Sequence, residues 1–408
     1  MRQLLQRAGA RAAALALASA ALLAGAAGCD GGPTDMSGKD GSPGAASADS
    51  IRVTPLDGAK AVGPGDRVSV TVPQGRLERV AVRQIEAADP VDLPGRISAD
   101  GKTWTPEPGA RPALAAKYGV DVLTRDDDGR RAARHTTFTT VVPAHRFIGY
   151  FTPENRATVG TGMIVSVNFN RPIKDRAAVQ RAITLSAEPA VRVVGHWFGD
   201  RRLDFRPRAY WRPGTRVTVG MGLRDVQAAP GVYGIQHKTV TFTVGRSQVS
   251  TVDAASHTMR VRGDGGRLLA TLPITAGAPS RTTYNGKMVV SEMYDVTRMN
   301  GSTVGFGGEY DIKDVPHALR LTTSGTFLHG NYWASSDTFG SRNTSHGCVG
   351  LRDVKGGSSS TPAGWFFDRT LIGDVVEVVH SDDRTVRPDN GLSGWNMNWS
   401  AWQQGSAT

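Results

Sequence analysis

Cysteine is scarce in this sequence, whose 408 residues include only two, Cys29 and Cys348. Cys29 ends an N-terminal leader, and lipidation there would exclude a disulfide for Cys348. An unpaired cysteine outside the reducing cytosol indicates a reactive thiol. A buried and inert cysteine is the alternative, and the cysteine count does not choose between the two.

Long helical patterns and nucleic-acid motifs are also missing. Aromatic residues make up 7% of the chain, and no Lys/Arg-rich aromatic motif is present, which argues against a nucleic-acid partner. Helix formers are not concentrated anywhere after residue 30, whereas glycine (49) and proline (22) are abundant. With 39% hydrophobic and 21% charged residues, the chain is expected to form a folded, mainly β body of short strands.

The long apolar run of the chain lies in residues 1–28. Three arginines, an apolar stretch and then small residues before Cys29 have the layout of a secretory signal peptide. The stretch is short for a stable membrane span. The ending "AAGC" resembles a bacterial lipobox, with Ala26 where leucine is usual, and predicts lipidation of Cys29. An ordinary signal peptide is the alternative.

Acidic residues are outnumbered, and the formal net charge is +11. The leader carries three of the arginines and no acid, so the charge without it is 11 − 3 = +8. This charge fits an anionic surface such as a cell wall or lipid head groups. Residues 29–50 are polar and predict a flexible tether. Lipidation would hold the protein on the outer face of the cytoplasmic membrane, facing the wall.

Two segments look like divergent copies of one another. "TPLDGAKAVGPGDRVSVTV" starts at Thr54, and "TPENRATVGTGMIVSVNF" starts at Thr152. Both have Thr-Pro, a glycine-rich turn and an alternating strand, the pattern of a sheet with one buried face. We expect two β-sandwich domains, at residues 51–145 and 146–247. Neither carries a catalytic or metal cluster, so both are interpreted as spacers or docking modules.

The third region, residues 248–380, is predicted to have short strands and long glycine-rich loops, which are usually functional. "GWFFDRTLIGDVVEVV" near its end predicts one short helix and a closing strand. The extension at residues 381–408 carries Trp395, Trp399 and Trp402. Packing of these rings on the body is the simpler interpretation, and stacking on a glycan is the alternative.

The stretch "NTSHGCVGLRD" brings Cys348 close to a histidine. His346 lies two residues before the thiol and His329 lies in "FLHGNYW". An imidazole can take the proton of a thiol that is mostly neutral at pH 7. Gly330 and Gly347 follow the two histidines, and the N–H groups of Gly347 and Cys348 are candidates for an oxyanion hole.

Three interpretations of these residues remain open. The first is a cysteine acyl-transfer enzyme, which needs a nucleophile and an oriented base. The second is a zinc site with His329, His346 and Cys348 as ligands. The third is a buried cysteine with incidental histidines.

"HGN" and "NTSHGCVGLRD" together resemble the active-site signature of L,D-transpeptidases of the YkuD type. Fifteen residues separate His329 from "SHGC", within the usual spacing of that family. The resemblance covers about 130 residues, and the order of leader, tether, two sandwiches and catalytic domain matches the family's envelope members. It therefore implies immunoglobulin-like sandwiches followed by a β-rich YkuD-type catalytic domain.

The resemblance implies a role for each residue of the signature. Cys348 would be the nucleophile and His329 its base, while His346 would support their ion pair. The family orients its catalytic histidine through the following residue, which is often serine. This chain has Gly330 there, so only the backbone carbonyl would orient His329. Amides near Gly347 would hold the oxyanion. Contacts to the stem peptide are implied for further positions: Tyr310, Ser324, Gly325, Asn343, Ser345, Gly350 and Arg352. Gly350 stands where relatives often have Asn or Arg, and Arg352 is a possible substitute.

The implied reaction is acyl transfer between peptidoglycan stem peptides. Cys348 would attack the third stem residue, release the terminal D-Ala and pass the acyl group to a neighbouring amine, which gives a 3→3 crosslink. Carbapenems would acylate the same thiol. No cofactor and no metal are required. L,D-carboxypeptidase activity, with water as the acceptor, and a non-catalytic peptidoglycan-binding protein are the alternatives.

Overall fold

The computed structural model describes residues 48–86, 91–301 and 311–408. The predictions for the leader, for Cys29 and for Tyr310 concern residues outside these ranges, as does most of the tether. The described chain is mainly β, as the sequence predicts. No helix within it is long and apolar enough to cross a membrane.

The first sandwich consists of two four-stranded sheets. Alternate residues of its strands are buried, as at Tyr118, Val120 and Val122, and meet Trp104 and Phe138 in one core. In spatial order, one sheet has β1 (Arg52–Thr54), β3 (Ser69–Thr71), β6 (Thr103–Pro106) and β5 (Gly95–Ile97). The other has β2 (Ala59–Val62), β8 (Arg131–Thr140), β7 (Lys117–Arg125) and β4 (Arg76–Ile85).

The second sandwich also has two four-stranded sheets, and a short helix, α1 (Arg176–Arg181), packs against it. One sheet has β10 (Gly149–Thr152), β12 (Val165–Phe169), β15 (Arg202–Pro207) and β14 (Val193–Phe198). The other has β11 (Thr158–Val159), β19 (His237–Val244), β16 (Arg216–Gly222) and β13 (Ile183–Glu188). A small sheet adds β17 (Gln227–Ala229), β18 (Val232–Gly234) and β9 (His145–Phe147).

A nine-stranded sheet forms the third region. Its strands, in spatial order, are β23 (Gly286–Val289), β28 (Val375–Val379), β20 (Val249–Asp253), β21 (Thr258–Arg262), β22 (Leu268–Thr275), β27 (Val349–Arg352), β26 (Phe327–Asn331), β25 (Asp311–Arg320) and β24 (Glu292–Asn300). The helix and closing strand expected near its end are α2 (Pro362–Arg369) and β28. Thr361 caps α2 by accepting the Gly364 N–H, and Pro362 begins the helix.

The C-terminal extension packs on the second sandwich and ends in α3 (Trp399–Gln404). Trp402 is fully buried in the core of that sandwich and stacks on His196, with ring centroids 4.9 Å apart. The Arg206 guanidinium lies among the rings of Trp395, Trp399 and Trp402, at 4.6, 5.4 and 4.3 Å from their centroids. The simpler interpretation is confirmed for Trp402, whose buried ring is inaccessible to a glycan, whereas Trp395 and Trp399 pack on the same core but are only partly buried.

Candidate active site

Cys348 lies at the end of a tight turn that leads directly into β27. The Ser345 hydroxyl closes this turn, because it donates to the Cys348 carbonyl (2.6 Å) and accepts the Gly347 N–H (3.2 Å). Gly347 has a φ of +111°, a conformation that favours glycine. The half-buried Cys348 Sγ accepts the Phe327 N–H at 3.4 Å and faces the Gly325 carbonyl at 3.6 Å.

His329 lies on β26, the strand that pairs in parallel with β27. The register places His329 opposite Gly350, two residues after Cys348. Side chains alternate along a strand, so the thiol and the imidazole lie on the same face, and no side chain at Gly350 separates them. Both groups line one cavity of about 580 Å³. The structure therefore brings together the two residues that the sequence singled out as nucleophile and base.

The backbone fixes the orientation of the His329 ring. Its Nδ1 lies 2.9 Å from the Gly330 carbonyl, which can only accept, so Nδ1 carries the proton and Nε2 is left as the base. A Cβ at Gly330 would lie 2.2 Å from Asp353 Oδ2, so a side chain there is excluded. Trp333 stacks on the imidazole, with centroids 5.5 Å apart. The expected orienting role of the Gly330 carbonyl agrees with this geometry.

Burial shifts the pKa of both reactive groups. It raises the pKa of the Cys348 thiol to about 11, and the hydrogen bond from the Phe327 N–H opposes this rise. It lowers the pKa of the His329 imidazole below its ordinary value, against the bond with the Gly330 carbonyl. Both shifts favour the neutral form of the group, thiol and imidazole alike. The ion pair implied by the resemblance stays a prediction.

His346 is exposed and lies between two cavities. One is the cavity of His329 and Cys348, and the second, of about 300 Å³, is lined by Ser324, Gly325 and Gly347. The two openings give separate approaches to the turn that ends at Cys348.

The remaining substrate-binding predictions divide according to position. Ser345 lines the larger cavity, and Ser324 and Gly325 line the smaller one. Asn343 is engaged within the protein, because its amide accepts from the Ala276 N–H (2.9 Å), contacts His257 Nδ1 (3.0 Å) and donates to the Ala254 carbonyl (2.9 Å).

These bonds fix the Asn343 amide within the protein, and its contact to the stem peptide stays a prediction. Gly350 is buried beside His329, and Arg352 is exposed at the end of β27 outside both cavities. The oxyanion hole stays a prediction: the Gly347 N–H is donated to Ser345 Oγ at 3.2 Å, and the Cys348 N–H is the other candidate donor.

Two residues that the sequence analysis did not select contribute to the site. Asn331 is 5% exposed and lines the larger cavity; its Oδ1 accepts the Ala334 N–H at 3.0 Å. The sequence signal that could have identified Asn331 is its position two residues after His329 on the same strand. Asn390 accepts the Ser324 N–H (3.0 Å) and the Thr323 hydroxyl (2.9 Å), and donates to Ser324 Oγ (2.8 Å). No local pattern links these distant segments.

The zinc interpretation finds no support in the arrangement of side chains. Across residues 48–86, 91–301 and 311–408, no three or more His, Cys, Asp or Glu side chains are grouped to hold a metal ion. His329 and Cys348 instead line one cavity from two neighbouring strands.

Two family models match the chain. The model of the L,D-transpeptidase catalytic domain matches residues 247–378, and that of a bacterial Ig domain matches residues 59–227. The first match contains the turn at Cys348 and the strand of His329. The second reaches across both sandwiches.

Three curated relatives come from Mycobacterium tuberculosis. L,D-transpeptidase 2 is 32% identical over 86% of this chain and 83% of its own. L,D-transpeptidase 5 is 30% identical over 93% of this chain and 81% of its own. L,D-transpeptidase 1 is 32% identical over 56% and 82%, respectively. Because the longer matches include the sandwiches as well as the catalytic region, this chain belongs to the L,D-transpeptidase family.

Proposed function

We propose that this protein crosslinks peptidoglycan by L,D-transpeptidation, with Cys348 as nucleophile and His329 as base. The observation that carries the proposal is the shared cavity, in which the buried thiol and an imidazole with a fixed tautomer lie on one face of two paired strands. A peptidoglycan stem peptide is the substrate class that the family implies.

The first half-reaction begins from two neutral groups. As Cys348 Sγ attacks the carbonyl carbon of the third stem residue, the thiol proton passes to His329 Nε2. The Cys348 N–H stabilises the oxyanion. Collapse of the tetrahedral intermediate breaks the peptide bond, the imidazolium protonates the leaving D-Ala amine, and a thioester remains on Cys348.

The second half-reaction uses the same groups in the opposite direction. The amine of a neighbouring stem attacks the thioester, and His329 Nε2 takes the proton that this amine loses. The new amide is the 3→3 crosslink, and the thiol recovers its proton from His329. A two-substrate reaction needs two approaches to Cys348, and the cavities on either side of His346 would supply them.

We further propose specific contacts to the stem peptides. Ser324 and Gly325 would bind from the smaller cavity, and Ser345 and Asn331 from the larger one. Asn331 supports this assignment because its amide is buried beside Gly350, which has no side chain to contribute.

The envelope location belongs to the same proposal. The basic leader, the "AAGC" ending at Cys29 and the excess of positive charge support a lipid-anchored protein on the outer face of the cytoplasmic membrane. Retention in the membrane fraction that is lost in Cys29→Ala would support the anchor. Equal retention of both proteins would contradict it.

The decisive experiment incubates the protein with a disaccharide-tetrapeptide and identifies the products by mass spectrometry. A crosslinked dimer that lacks one D-Ala is expected, and Cys348→Ala and His329→Gln should abolish it. His380→Gln is the matched control, because that side chain is 68% exposed and bonds to Asp253 on the sheet of the catalytic region.

If the tripeptide is the sole product, the protein acts as an L,D-carboxypeptidase and not as a transpeptidase. No product, together with no carbapenem adduct on Cys348, would leave only a peptidoglycan-binding role.

A further inference from the structure

The second sandwich has a cavity of about 490 Å³ that takes no part in the site described above. The segment before β14 (residues 189–192), the end of β15 and the segment that follows β15 form its walls, and Trp399 of the C-terminal extension closes one side. Its volume lies in the range of small-molecule binding sites.

Three arginines and no acidic residue line this cavity. Arg192, Arg208 and Arg212 are exposed, and their side chains have no ion pair with any residue that the structure describes. By contrast, Arg202 and Arg246 pair with the carboxylates of Asp204 and Asp374. Guanidinium groups without carboxylate partners around a hollow are suited to bidentate binding of phosphate or carboxylate.

The floor of the cavity is aromatic and fixed. Tyr210 packs edge-on against Trp395, with centroids 4.7 Å apart. Trp211 donates its indole N–H to the Met163 carbonyl at 2.7 Å, and Trp399 lies over the buried Arg206 guanidinium. The rings at this surface are therefore held before any ligand arrives, and a flat aromatic ring offers apolar surface to the C–H face of a sugar.

We propose that this cavity binds a segment of an anionic polysaccharide of the cell wall. The three arginines would hold its phosphate or carboxylate groups, and Tyr210 and Trp399 would contact its sugar rings. An acidic peptide would leave the aromatic floor unused, and a flat lipid surface would not enter a concave site. Binding here would keep the catalytic region near its substrate by raising the local concentration of stems.

The test measures sedimentation of the full-length chain with purified bacterial sacculi. Cys348→Ala is present throughout, so that no thioester can hold the protein on the wall. The variant Arg192→Gln/Arg208→Gln/Arg212→Gln is compared with Arg52→Gln/Arg67→Gln/Arg111→Gln. The second triple removes the same charge from exposed arginines of the first sandwich and corrects for non-specific attraction.

We expect the cavity variant to raise the apparent Kd about tenfold, and the control triple to change it less than twofold. Sacculi stripped of phosphodiester-linked polymers with hydrofluoric acid distinguish the two sources of charge. If the two variants bind stripped sacculi equally, the cavity binds phosphate. If the difference between them persists, the cavity binds the carboxylates of peptidoglycan. Equal binding by the two triples to both kinds of sacculi would overturn the proposal.

Discussion

At the scale of single residues, the first prediction concerns the protonation state of the Cys348 thiol. Burial raises the pKa of Cys348 to about 11, so the fraction of thiolate at pH 7 is very small. We expect the rate of alkylation by iodoacetamide, followed by mass spectrometry, to rise with pH up to a midpoint near 11. A rate that is already constant between pH 6 and 8 would instead show a preformed thiolate–imidazolium pair.

Asn331 gives a second prediction at this scale. Removing its amide in Asn331→Ala should raise KM for the stem peptide about fivefold, with a smaller effect on kcat, because one neutral hydrogen bond to substrate is lost. Asn331→Asp keeps an acceptor for the Ala334 N–H but loses the side-chain donor. If the role were only to hold this turn, the Asp variant would have the KM of the parent enzyme.

The reactive residues themselves could be predicted from the sequence. Cys348 and His329 carry a chemistry that few other residues provide, and the loss of a side chain at position 330 correctly indicated a carbonyl as the orienting group. The bond from the Gly347 N–H to Ser345 Oγ could not be predicted, because it depends on how the turn closes. The bonds of Asn343 to Ala254 and Ala276 could not be predicted for a similar reason, because tertiary packing sets them.

At the scale of elements, the turn at residues 323–325 depends on a segment of the C-terminal extension. Asn390 makes three hydrogen bonds to Thr323 and Ser324, and the neighbouring Gly325 carbonyl faces Cys348 Sγ. Arg202 of the second sandwich donates to the Asp389 and Gly391 carbonyls on either side of Asn390. The position of this turn, which lines the smaller cavity, therefore depends on hydrogen bonds from regions far apart in sequence.

Asn390→Ala should accordingly lower the rate of acylation by a carbapenem about tenfold, because the turn loses three hydrogen bonds of roughly 0.5–1.5 kcal/mol each. Asn390→Asp retains the acceptors and should recover part of that rate. The measurement is the stopped-flow rate of adduct formation. Unchanged acylation in Asn390→Ala would show that the turn holds its position without the extension.

Single elements were more predictable than their contacts. Alternating apolar residues identified the sandwich strands, and the sequence around Pro362 gave α2 and β28. The order of the nine-stranded sheet was not accessible, because β27 and β26 pair in parallel across a loop and β28 lies beside β20. Such pairings depend on non-local packing and leave no period in the sequence.

At the scale of the whole molecule, Arg206 links the second sandwich to the extension. Its side chain donates to the Pro207 and Met397 carbonyls and contacts three tryptophans, with 2% of its surface exposed. Arg206→Ala should lower the free energy of unfolding by about 3 kcal/mol, since packing, hydrogen bonds and cation–π contacts are lost together.

Denaturant unfolding followed by tryptophan fluorescence checks this value. Arg208→Ala, at an exposed position two residues away, is the matched control and should change the stability by less than about 0.5 kcal/mol. Equal losses in the two variants would remove the special role of the buried guanidinium.

The buried Trp402 also constrains the order in which the polypeptide matures. The Nδ1 of His196, in the second sandwich, donates to the Trp402 carbonyl, which lies 206 residues further along the chain. Domains of a growing chain usually fold in the order of their synthesis, and contacts of long separation form late. This sandwich therefore stays open on one side until the catalytic region has been made. A nascent chain arrested before residue 402 presents an unfinished domain to chaperones and proteases.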